Sequence, residues 1–246
     1  MRTIVGRAEL AASDGPILVT VGVFDGLHLG HAWLLEHLVR EARLRSVHPA
    51  VVTFDAHPDA ILLGQAPPLL MHPDERLRRL ADLGVELVVI EHFDDALRRT
   101  PYDAFVAGIR SRTELAGFVM TPDAAFGHER AGTPAAIAEL GRGQGFEVVL
   151  VPPFTLGGRE VRSSEIRTAI ATGDLDEAAR LLGRPYAVRG DIRDGVLTFA
   201  MPVALPPAGD YDATVDGEAA RVSIERGLVR VAGAADGEGV EVVWDR

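Results

Sequence analysis

The sequence predicts an α/β protein: an open parallel sheet with helices on both faces, followed by a small antiparallel β module. Three observations carry this. Apolar runs of strand length alternate with stretches of helical spacing from residue 17 to about residue 182, the pattern of consecutive βαβ units. Beyond residue 185 helical spacing stops, and short alternating stretches separated by turn residues take over. The chain has 246 residues, 47% of them hydrophobic, enough for a medium core and a small one. The expected domains are residues 1–185 and 186–246.

The elements follow in order. Residues 1–16 form an entry segment holding one strand. Residues 17–22 are an apolar run that reads as a parallel strand buried on both faces. Phe24-Asp25-Gly26 reads as a tight turn, and helical spacing covers 29–45 through Leu34, Leu35, Leu38, Val39 and Ala42. A second strand at 50–54 runs into Asp55-Ala56-His57-Pro58, where the proline keeps His57 extended. A helix follows at 74–83 with Asp74 as its cap, then a strand at 85–90, a helix at 102–111 and a strand at 117–120. Residues 123–132 are a polar, glycine-bearing loop. A helix at 134–141 and a strand at 146–151 close the first set. Ser163 or Ser164 is expected to cap a helix to about residue 171. Asp174 to Glu177 resembles a capping box that opens a helix ending at Gly183. In the last module, strands are expected at 196–200, 212–215, 220–224, 228–231 and 240–244.

The most informative stretch is VTVGVFDGLHLGHAWLL, residues 19–35. It places His28 and His31 where a strand ends and a helix begins. A helix N-terminus exposes unpaired N–H groups and the positive end of the dipole, so it attracts phosphate. Gly22 and Gly26 let a ligand approach the backbone without meeting a Cβ atom. His28 and His31, one turn apart, can donate to the same phosphate and stabilise charge that shifts during attack at phosphorus. Ser163, Ser164 and Arg167 form a second group of the same kind at another helix start.

Composition excludes several chemistries. There is no cysteine, hence no disulfide and no thiolate. All 25 basic residues are arginine, so a P-loop with its lysine, a lysyl-nucleotide intermediate and a Schiff base are all ruled out. Any phosphate clamp must use arginine, histidine or backbone N–H groups. The net charge of −11 argues against non-specific nucleic-acid binding. No apolar run is long enough to span a bilayer, so a cytoplasmic chain with no membrane or nucleic-acid partner is expected.

Five ordered motifs then point to a family. The run from Gly22 to His31, GVFDGLHLGH, resembles the signature of the bacterial FAD synthetases. These are the adenylyltransferase halves of bifunctional riboflavin kinase/FMN adenylyltransferases, in the HxGH nucleotidyltransferase superfamily. Thr53 to Pro58 is similar to the family's TFxPHP motif, and Phe126-Gly127 with Arg130 and Gly132 to its FGxxRxG loop. Ser163 to Arg167 is similar to SSTxIR, and Leu181 to Tyr186 to the segment leading into the kinase.

The resemblance implies a Rossmann-like nucleotidyltransferase domain that joins AMP from ATP to FMN, releasing pyrophosphate, with magnesium. It implies that His28, His31 and Arg167 serve catalysis, and that Gly22, Phe24, Asp25, Gly30, Ser163 and Ser164 hold the nucleotide. The acceptor side would use His57, Asp123, Phe126 and Arg130. It names no metal ligands and gives no oligomeric state. Residues 121–127 depart from the family's GxDFRFG, Ala56 stands where a proline is usual, and Arg162 replaces the first serine of SSTxIR. A second reading therefore keeps the nucleotidyltransferase and changes the phosphorylated acceptor. A third is a nucleotide- or flavin-binding sensor. The last module resembles a truncated riboflavin kinase barrel. It lacks the PTAN motif, since the chain has no asparagine, and is short for a barrel plus helix. No kinase activity is expected of it.

Overall fold

A computed structural model describes residues 1–245. The chain divides into two compact units, one of residues Met1–Phe24, Gly30–Pro67 and Leu77–Phe154, the other of Asp25–Leu29, Pro68–Arg76 and Thr155–Arg246. No helix among the described residues is long and apolar enough to cross a membrane.

The first unit is built on six strands: β1 (Arg2–Val5), β2 (Ile17–Val21), β3 (His48–Phe54), β4 (Leu87–Glu91), β5 (Leu115–Met120) and β6 (Glu147–Leu150). They form one sheet in the order β1-β4-β3-β2-β5-β6, with every pairing parallel. The helices are α1 (Leu29–Arg45), α2 (Asp59–Leu62), α3 (Pro73–Asp82), α4 (Asp95–Arg98), α5 (Tyr102–Arg110) and α6 (Pro134–Gln144). β2 lies between β3 and β5, and Ile17, Leu18, Val19 and Thr20 are all buried. That is why its sequence reads as a continuous apolar run rather than an alternation. From β2 the chain builds outward through β3 and β4, then returns to the other side of β2 with β5 and β6. The strand order therefore reverses beside the carboxyl end of β2, the position at which open α/β sheets bind ligands. One core face joins Val19, Val52, Val89, Phe105, Ile109, Phe118, Ile137 and Phe146.

The second unit carries a short hairpin, β7 (Thr155–Leu156) with β8 (Arg159–Glu160), and then α7 (Ser163–Thr172) and α8 (Leu175–Leu182). Six strands follow: β9 (Ala187–Arg193), β10 (Val196–Thr198), β11 (Gly209–Val215), β12 (Glu218–Glu225), β13 (Leu228–Val231) and β14 (Gly237–Trp244). They close into an antiparallel barrel in the order β10-β13-β12-β11-β14-β9. Its core holds Val188, Ile192, Leu197, Val222, Val229, Val242 and Trp244. The module's length does not prevent closure, although no helix follows the barrel among the described residues.

Three local expectations are corrected. Asp74 does not cap α3. Pro73 takes the first helical position, which suits its fixed φ and missing N–H, and the His72 ring accepts from the Asp74 N–H at 3.2 Å. Neither Ser163 nor Ser164 caps α7. Arg162 flanks that helix without a side-chain cap bond, and the Ser163 hydroxyl donates instead to the Asp25 carbonyl at 3.0 Å. β9 escaped notice because its AVRGDIR sequence buries only Val188 and Ile192. Asp174 does cap α8, accepting from the Glu177 N–H at 3.0 Å.

Two glycines of the first unit should respond oppositely to alanine. A Cβ on Gly117 in β5 would sit 2.3 Å from the Glu147 carbonyl oxygen, whereas one on Gly143 in α6 meets nothing within 4 Å. In urea denaturation, Gly117→Ala is expected to lose at least ~2 kcal/mol. Gly143→Ala is expected to gain roughly 0.5–1 kcal/mol from helix propensity.

Candidate functional site

In the first unit, the carboxyl end of β2 is fixed by backbone. The Gly22 N–H donates to the Val52 carbonyl at 3.0 Å, and the Thr53 hydroxyl donates to the Val23 carbonyl at 3.1 Å. Phe24 is buried, with φ of 54°, in the left-handed region that a bulky residue rarely takes. Its ring meets the His31 imidazole edge-on, 5.2 Å between centroids and 64° between planes. Gly30 and His31 lie in the first turn of α1. A Cβ on Gly22 would lie 3.0 Å from the Phe24 ring, so this position needs its small residue.

His57, Asp123, Phe126 and Arg130, expected on the acceptor side, all lie in the same unit. His57 precedes α2, and its Nδ1 accepts from the Asp59 N–H at 3.2 Å. Asp123 and Arg130 are joined directly: the Arg130 guanidinium donates to the Asp123 carbonyl at 3.1 Å, and the Thr121 hydroxyl donates to the Asp123 carboxylate at 2.8 Å. Phe126 turns the other way. Its half-buried ring packs on Phe105 and Phe118, 5.3 and 5.4 Å between centroids, and so extends the core.

The second unit concentrates charge on the segment Asp25–Leu29. The Asp25 carboxylate is buried and pairs with the Arg167 guanidinium at 2.5 Å. It also accepts the Leu70 N–H on both oxygens, at 3.0 and 3.1 Å. Arg167 Nε donates to the Pro68 carbonyl at 2.8 Å. Ser163, at the start of α7, holds the Asp25 carbonyl, and Arg184 donates to the carbonyls of Gly26 at 2.6 Å and Leu27 at 3.2 Å. Sequence placed Asp25, His28, Ser163 and Arg167 in one site, and the structure brings these four together. Ser164 follows Ser163 in the first turn of α7.

His28 is 4% exposed. Burial, then the positive charge of Arg184, then that of Arg167, lowers its pKa to about 4. At neutral pH it is therefore an uncharged imidazole, able to donate one N–H to an anion and poorly suited to storing a proton.

Sequence reading missed two contributors. Arg184 was legible only as part of a motif. Its signal was its place immediately after Gly183, a left-handed helix end with φ of 73°, which turns the next side chain back along the helix. The segment Pro68–Leu70 offered no signal, because it acts through a backbone N–H and a backbone carbonyl.

A parallel sheet whose order reverses beside a strand–turn–helix defines an α/β fold of the kind that binds ligands at the carboxyl ends of its strands. The FAD synthetase family model matches residues 10–165. The bifunctional riboflavin kinase/FMN adenylyltransferase of Escherichia coli (strain K12) is 32% identical over 199 residues, covering 79% of this chain and 63% of that protein. Its counterpart in Listeria monocytogenes is 29% identical over 180 residues, covering 72% and 57%. A crystal structure described as a macrolide-efflux protein from Streptococcus pneumoniae superposes with a TM-score of 0.84 at 26% identity, covering 99% of this chain and 89% of that one. The chain belongs to the FAD synthetase family, and it spans roughly six-tenths of the length of these curated relatives.

The depressed His28 pKa predicts a pH dependence. An unfolded histidine takes up its proton near pH 6.5, but His28 in the fold does so only near 4. Between those values the unfolded state binds more protons, so stability rises with pH across the window and levels off above it. The melting temperature should therefore climb more steeply between pH 4 and 6.5 in the wild type than in His28→Gln. Parallel curves would contradict the assignment.

Proposed function

We propose that this chain transfers AMP from ATP to FMN, giving FAD and pyrophosphate. The observation that carries the reading is the turn Asp25–Leu29, with an uncharged His28 held beside two guanidinium groups in a chain of the FAD synthetase family.

In this reading a phosphate oxygen of FMN attacks the α-phosphorus of ATP, the bond from that phosphorus to the bridging oxygen breaks, and pyrophosphate leaves with the electron pair. The FMN phosphate is already anionic near neutral pH, so no general base is needed. Catalysis rests on alignment and on stabilising charge at the phosphates. By the family resemblance, His28 and His31 serve the phosphates and Ser163, Ser164 and Arg167 the β and γ groups; within the second unit, Arg184 adds positive potential beside His28. Two of the Arg167 nitrogens already hold Asp25 and Pro68, so this arginine also shapes the turn. Gly22, Phe24, Asp25 and Gly30 form the nucleotide side, and His57, Asp123, Phe126 and Arg130 the acceptor side.

Magnesium belongs to the reaction as a companion of the triphosphate. No group of three or more His, Asp or Glu side chains among the described residues could hold a metal ion. When bound, magnesium would neutralise charge on the triphosphate. The barrel is assigned no riboflavin kinase activity, because a chain without asparagine cannot carry PTAN. Efflux, the label of the Streptococcus pneumoniae protein, is not carried over, since nothing in the site residues corresponds to it.

The test is pyrophosphate release from ATP and magnesium with FMN, and with riboflavin as a second acceptor. FAD from FMN and no phosphorylation of riboflavin is the expected result. Nucleotide binding without turnover on FMN would move the assignment to another phosphorylated acceptor, the reading that the altered 121–125 loop motivates, or to a sensor. His31→Ala should lower turnover by roughly 100-fold while changing the KM for ATP much less.

A further inference from the structure

The turn that carries His28 is strained. Phe24, Gly26 and Leu27 all have positive φ, at 54°, 80° and 37°, and Leu27 is also buried. Non-glycine residues persist in such conformations only where their surroundings over-determine them, and such strain collects at functional sites. The carbonyls of Gly26 and Leu27, immediately before His28, are both held by the same side chain. Arg184 donates to Gly26 at 2.6 Å and to Leu27 at 3.2 Å, and also to Leu182 at 3.3 Å at the end of α8. The Arg184 backbone N–H is anchored separately, on the Ala179 carbonyl at 3.1 Å. Gly183 beside it has φ of 73°, which suits glycine, and a Cβ there would lie 2.5 Å from a methyl carbon of Leu29. The end of α8 is thus packed directly on the residue that starts α1.

We propose that Arg184 is the positioning residue of the transfer reaction: its guanidinium fork fixes the Gly26-Leu27 backbone and so sets the direction in which His28 is presented. The inference rests on the adenylyl-transfer reading above and adds to it a residue that acts through another. A planar fork can span two neighbouring carbonyls with defined geometry, whereas a lysine offers a point charge on a flexible stem. The charged groups around His28 are Arg184 from beyond α8 and Arg167 from α7, the latter paired with Asp25.

Three variants test this, with steady-state kinetics and the NMR titration of the His28 ring as readouts. Arg184→Lys keeps the charge and loses the fork. It should lower kcat by at least tenfold, leave the KM for ATP within threefold, and leave His28 titrating low. Arg184→Gln loses both, so kcat should fall as far and the His28 titration should move upward. Arg180→Gln, an exposed arginine of α8 paired with Glu177, should change none of these. Full kcat in Arg184→Lys overturns the proposal. So does a rise in the KM for ATP at unchanged kcat, which would make Arg184 a nucleotide ligand. If the wild type forms no FAD from FMN, the functional reading fails. An unmoved His28 titration in Arg184→Gln overturns the positioning role whatever the acceptor proves to be.

Discussion

The ion pair between the buried Asp25 carboxylate and the partly buried Arg167 guanidinium is the constraint on which the candidate site depends. Removing a carboxylate from water costs several kcal/mol, and a single opposing charge seldom recovers it. Here the carboxylate also takes the Leu70 N–H on both oxygens, while Arg167 spends a second donor on Pro68. These bonds fix three stretches that are far apart in sequence: residue 25, residues 68–70 and the first turns of α7. The barrel joins the same chain of contacts. Leu69 donates to the Pro202 carbonyl at 2.9 Å and accepts from the Ala204 N–H at 2.9 Å, and the buried Tyr186 hydroxyl donates to the Ala204 carbonyl at 2.6 Å. A barrel loop, a strap and a charged pair thus act in series on the backbone that leads to His28. This gives the C-terminal module a physical task that needs no chemistry of its own.

The electrostatic character of the turn follows from that arrangement. Burial first, and then the charges of Arg184 and Arg167, make protonation of His28 unfavourable. The proposed adenylyl transfer would gain from this. The positive potential is supplied by groups whose charge does not vary with pH, and the histidine contributes a directed N–H whose presence is equally constant. The absence of lysine from the chain is consistent with it, because each fixed contact in the turn is bidentate or shared, a role that suits arginine.

Much of this was legible in the sequence, for definite reasons. The bounds of α1 could be read because Leu35, Leu38, Val39 and Ala42 are all buried on one stripe. β2 could be read because both its faces are covered. The Asp25, His28, Ser163 and Arg167 set could be named because family motifs mark residue types. What could not be read were relations between distant segments. The spacing of 142 residues between Asp25 and Arg167 carries no local signal, and the Leu70 contact uses only backbone. Serine before an apolar helical run usually caps the helix, but Ser163 is already the first residue of α7, and its hydroxyl donates to the Asp25 carbonyl. α2 and α4, four residues each, are too short to show a helical period.

The account stands most directly on the Asp25–Arg167 pair, and a double-mutant cycle measures it. Asp25→Asn, Arg167→Gln and the double variant would be compared with the wild type by urea denaturation at pH 7. Arg167→Gln should cost about 3 kcal/mol or more, because it leaves the buried Asp25 carboxylate without its partner, and Asp25→Asn should cost less, because Arg167 keeps some contact with solvent. The double variant should cost clearly less than the sum, with a coupling of about 2 kcal/mol. Additive losses would contradict the account, since the pair would then not be what holds the turn.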